Sequence, residues 1–91
     1  MSGFTNVEFE EMASEELQRA ASLSWRELVK VVPWGDVYDG FAPSGQVVQV
    51  ERNYLWAGAP GEDVLCEVNV YSNVVRYDDG ARKSVVIPKP R

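Results

Sequence analysis

Apolar residues near the N-terminus fall at Phe9, Met12, Ala13, Leu17, Ala20 and Ala21. Steps of three and four draw one stripe along an α-helix, so the spacing predicts an amphipathic helix over roughly Asn6 to Ala21. Thr5-x-x-Glu8 has the form of a capping box, in which a hydroxyl and a carboxylate satisfy free amides of the first turn. Glu8, Glu11 and Glu15 share a second stripe, which the pattern turns toward water. Ser24-Trp25-Arg26-Glu27 repeats the capping form, and Pro33 ends the segment that this second box opens. Trp25, Leu28, Val29 and Val32 would be the inner face of a short second helix, although the β-branched run from Val29 allows its later half to be extended.

From Trp34 the period changes to two, and glycines and prolines divide the chain into four or five short extended runs. In Gln46–Ala57, Val48, Val50, Tyr54 and Trp56 share one face and Gln49, Glu51 and Asn53 the other. In Asp63–Ser72, Val64, Cys66, Val68 and Val70 oppose Glu67 and Asn69. Gly58-Ala59-Pro60-Gly61 forms the tip between these two runs, and Asp78-Asp79-Gly80 is a hairpin signal between Val74–Tyr77 and Arg82–Ile87. Strands joined by short turns are antiparallel neighbours, and the helical stripe must be buried on one sheet face. The expected fold is therefore a two-layer α+β domain: an N-terminal amphipathic helix on a four- to five-stranded antiparallel meander. The whole chain reads as one domain, with residues 88–91 as a frayed basic tail.

The absence of histidine removes the commonest general base and metal ligand, and Cys66 lies on an apolar strand face. Among the carboxylates, Asp36 with Asp39, and Asp78 with Asp79, fit turn chemistry better than a paired catalytic cleft. Asp78-Asp79-Gly80 lacks the spaced oxygens of a calcium loop, and Gly58–Gly61 lacks the lysine of a phosphate loop. No catalytic residue, metal site or cofactor is expected. No run is long and apolar enough for a membrane span, and the N-terminus lacks the pattern of a signal peptide, which makes a cytoplasmic protein the expectation.

Net charge is −5, and its distribution narrows the partner. Residues 1–23 carry five Glu against one Arg, residues 34–72 six acids against Arg52, and the last nineteen residues a balance of +3. An acidic body repels phosphate backbones, so direct binding to duplex DNA is not expected, and a protein with a basic surface is the natural complement. Nucleic-acid-processing enzymes have such surfaces. Phage anti-CRISPR proteins, anti-restriction proteins and nuclease immunity proteins share this size and charge, a comparison of composition and not of motifs. The candidate contact residues are Glu8, Glu11 and Glu15 on the helix, with Trp34, Asp36, Tyr38 and Asp39 in an aromatic loop. In that loop Trp34 and Phe41 could instead plug the end of the core. Two further readings are an accessory subunit of a larger assembly and an RNA-binding module built on Arg52, Tyr54 and Trp56.

Overall fold

The computed structural model describes residues 7–72 and 80–90. Helix α1 spans Val7–Ala21, a four-residue helix α2 spans Trp25–Leu28, and strands β1 (Trp34–Phe41), β2 (Val47–Trp56), β3 (Val64–Tyr71) and β4 (Ala81–Ile87) complete the chain order. The strands form one antiparallel sheet in the order β1-β2-β3-β4, so the α+β meander expected from the periodicities is the observed fold.

Phe9, Ala13, Glu16 and Ala20 are the buried positions of α1, and Met12 and Leu17 pack beside them. Ala21, expected inside, is exposed, because it lies a full 100° step around the helix from Ala20. The capping box of α2 forms as the sequence predicts. Ser24 Oγ accepts from the Glu27 amide at 3.2 Å, and Glu27 Oε1 accepts from the Ser24 amide at 2.9 Å. The α-helix ends at Leu28, and Val29–Val31 form a turn, neither a longer helix nor a strand, in which the amides of Val31 and Val32 donate to the Leu28 carbonyl at 3.0 and 3.2 Å. Thr5, the Val74–Tyr77 run and Asp78-Asp79 lie outside the described residues.

The stretch from Trp34 to Phe41 is a strand and not a loop, paired residue for residue from Trp34↔Tyr54 to Phe41↔Val47. Gly35 and Gly40, which mark turns in many sequences, lie inside it. At Gly35 a Cβ would press on the Asn53 amide oxygen and would lie 3.2 Å from the Arg52 carbonyl oxygen, which favours the glycine there. The turn falls one step later, where Gly45 adopts φ +94° and the Ala42 amide donates to the Gln46 carbonyl at 2.8 Å. Strand parity then sends Phe41 to the face away from the helices, where it is 72% exposed and no core plug.

The cross-strand register sorts every strand residue onto one of two faces. The helix side carries Trp34, Asp36 and Tyr38 of β1, and Val48, Val50, Arg52, Tyr54 and Trp56 of β2. Beside them lie Val64, Cys66, Val68 and Val70 of β3 with Ala81, Lys83, Val85 and Ile87 of β4. Helix α1 packs over β3 and β4, which leaves the helix side of β1 with little cover. The core is in two parts. Phe9 and Ala13 pack with Val48, Val50, Val68 and Val70, and Ala20 and Leu28 pack with Val64 and Cys66.

Phe9→Ala should lower unfolding free energy by roughly 3–5 kcal/mol in urea titrations. Phe41→Ala should stay within about 0.5 kcal/mol of the parent, as for an ordinary surface substitution.

Candidate functional site

The helix side of β1 carries an interlocked group of polar and aromatic side chains. Alternation along β1 puts Trp34, Asp36 and Tyr38 on that side, and the register sets Asp36 against Arg52 and Trp34 against Tyr54. Arg52 Nε donates to Asp36 Oδ1 at 2.8 Å, and Nη2 donates to Oδ2, a two-pronged pairing that suits the planar guanidinium. The third nitrogen, Nη1, lies 3.6 Å from Oε1 of Glu16 on α1. The other Glu16 oxygen accepts from Arg19, one turn further along the helix. The guanidinium carbon of Arg52 lies 5.2 Å from the Trp34 ring centre and 4.9 Å from that of Tyr38, within cation–π range of both. Trp34 in turn packs on Tyr54, with ring centres 5.0 Å apart.

Each titration shift has its cause in this packing. The hydrogen bonds from Arg52 hold the Asp36 carboxyl below the usual carboxylate range, despite partial burial acting the other way. Burial, and then the hydrogen bond to the Glu16 carboxylate, push the Tyr38 phenol up to about 12. Burial likewise raises Tyr54 and the Cys66 thiol. An Asp held ionised by a bidentate arginine is a weak proton acceptor, and a thiol pushed toward its neutral form is a weak nucleophile. The cluster is therefore suited to holding α1 against β1 and β2.

The seven residues expected to bind a partner do not converge. Trp34, Asp36 and Tyr38 meet in the Arg52 cluster, while Asp39 points from the opposite face of β1 and accepts from Gln49 Nε2 at 3.0 Å. Glu8 is not left to water. It is half-buried, and its Oε1 accepts from the Ser44 amide at 3.0 Å, which ties the first turn of α1 to the β1–β2 turn. Glu11 and Glu15 are exposed, and with Glu10, Ser14 and Lys83 they line a shallow depression of about 420 Å³. Among the described residues no cation is in ion-pair contact with Glu10, Glu11 or Glu15.

Glu16 was missed as a site residue, although the signal was available. It stands seven positions after Phe9 and four before Ala20, inside the apolar stripe, and its side chain is 7% exposed. A second surface also went unread. The face of the sheet away from the helices shows Val37, Phe41, Val47, Leu55 and Val86 to solvent. Among the described residues no group of three or more Cys, Asp or Glu is placed to hold a metal ion, and no helix is long and apolar enough to cross a membrane. No protein-family model, curated protein or solved structure matches the chain.

Alkaline titration followed by tyrosinate absorbance should show Tyr38 ionising near 12, and Tyr38→Phe should remove that step. A phenol whose pKa is raised by folding stabilises the fold fully below its ordinary value of about 10, and that contribution is lost as pH rises from there toward 12. Ionisation of Tyr38 near the ordinary value of about 10 would contradict the packing described.

Proposed function

We propose that this chain is a small, non-catalytic binding protein of the cytoplasm, an inhibitor or adaptor that docks on a basic surface of a partner protein. The observation that carries the reading is the division among the acids of α1. Glu8 and Glu16 are engaged inside the fold, whereas Glu10, Glu11 and Glu15 project together without an ion-pair partner among the described residues. Three close carboxylates on a chain of net charge −5 create a field that attracts a cationic surface and speeds encounter. The surface with which a nucleic-acid-processing enzyme neutralises phosphates has that chemistry. A role of the anti-CRISPR, anti-restriction or immunity-protein kind, in a phage or mobile element, is consistent with the size and charge.

The exposed apolar residues of the open sheet face favour a second reading, an accessory subunit of a larger assembly. The RNA-binding alternative draws no support from Arg52, whose guanidinium is committed to Asp36 and Glu16. Trp34 and Asp36 are likewise committed, so the helix outranks the aromatic strand as the contact surface.

The test is a kinetic binding series on the partner captured from the native cell. Combined Glu10→Lys, Glu11→Lys and Glu15→Lys should slow association about tenfold with little change in stability, since exposed charges contribute little to folding. Raising salt from ~0.1 M to ~1 M, where the screening length shrinks from about 10 Å to about 3 Å, should act in the same direction. Association indifferent to both would reject electrostatic docking and leave the accessory-subunit reading.

A further inference from the structure

The two outer edges of the sheet differ in charge. Among the described residues β1 and β4 each have one strand neighbour and no strand on the outer edge. Strand β1 carries no base and two acids, of which Asp36 is paired with Arg52 and Asp39 has no ion-pair partner among the described residues, and β4 carries Arg82 and Lys83 and no acid. Pairing of β1 with β1, or β4 with β4, brings like charges together, which is how natural sheets suppress edge association. Pairing of β1 with β4 brings opposite charges together. We propose that copies of this chain associate edge to edge, β1 of one against β4 of the next, and so continue the antiparallel sheet. This goes beyond the proposed function and does not depend on it.

Strand direction allows the contact. Because every neighbour in the meander is antiparallel, β4 of one copy and β1 of the next can continue the alternation with all the helices on one side. Setting Asp39 opposite Arg82 keeps helix-side residues beside helix-side residues and overlaps the strands from Trp34↔Ile87 to Gly40↔Ala81. It also brings Tyr38 beside Lys83, an ammonium next to an aromatic ring. The carboxylate of Asp36, which would approach Glu10, Glu11 and Glu15 of the next copy, is already neutralised by Arg52.

The offset of α1 makes the flanks complementary in shape. Over β4 the helix leaves an apolar depression of about 220 Å³ lined by Leu17, Ala21 and Val85. Over β1 the cover by α1 is thin, reaching it through Glu16 beside Tyr38 and Met12 beside Gly40, and the rings of Trp34 and Tyr38 stand at the margin. In the extended sheet the ring-bearing flank of one copy lies beside the depression of the next. The contact joins two different surfaces, so it builds open chains and not a closed pair.

Sedimentation velocity on the full chain, from micromolar to millimolar concentration at low salt, tests this. The mean mass should climb without a plateau at the dimer. Asp39→Lys and Arg82→Glu should each abolish the rise, while the double variant and an equimolar mixture of the two single variants should restore it. Asp39→Lys carries the test alone if Arg82→Glu, which loses the 2.7 Å hydrogen bond to Asn69, fails to fold by circular dichroism. A monomer at every concentration, a plateau at the dimer, or association untouched by Asp39→Lys would overturn the proposal.

Discussion

A carboxylate placed inside the apolar stripe of a helix constrains everything that packs against it. Glu16 is buried on α1, and an ionised carboxylate in that position is tolerated only with a cation and further hydrogen bonds to satisfy it. Arg19 supplies one cation from the same helix, and Arg52 supplies the other from β2. Arg52 in turn is held by Asp36 of β1, so one chain of charge contacts runs from α1 through β2 to the edge of the sheet. This chain fixes where α1 can lie. It also explains the divided core, because Arg52 interrupts the apolar face of β2 between Val50 and Tyr54. The aromatic rings of Trp34 and Tyr38 complete the arrangement by covering the guanidinium.

Much of the architecture was legible in the sequence because it rests on local rules. The stripe at Phe9, Ala13 and Ala20 identifies α1, the Ser24–Glu27 box starts α2, and alternation fixes both the faces and the pairing of β2 and β3. Strand β1 was harder to read, because two glycines and two aspartates in eight residues carry a turn composition that pairing with β2 overrides. The contact between Asp36 and Arg52 spans sixteen positions and depends on the register of that pairing, which no local pattern announces. Glu16 is a different case. Its helical phase was plain, but only the presence of Arg52 beneath it turns an apparent surface charge into a buried one. Phe41 shows the converse, since strand parity outweighs hydrophobicity and leaves a large ring in water.

The same division separates the acids into those that build the fold and those without an ion-pair partner among the described residues. Glu8, Glu16, Asp36 and Asp39 all accept hydrogen bonds from within the chain. Glu10, Glu11 and Glu15 sit on the outer part of α1, whose orientation is set by the contacts of Glu16 on its inner part. Under the proposed function, acids on a helix seated in this way present their charges in fixed geometry, which favours selectivity for a matching cationic surface over general attraction. The functional reading and the fold thus share one dependence, the seating of α1 on the sheet.

That dependence is most directly measured by a double-mutant cycle on Glu16→Gln and Arg52→Met, with unfolding free energies from urea titration of both single variants and the double. If Glu16 and Arg52 hold α1 in place as a coupled pair, the double variant will be more stable than the two single effects predict, with a coupling on the order of 1–3 kcal/mol. Effects that add to within about 0.5 kcal/mol would show two independent surface charges, and would contradict the account.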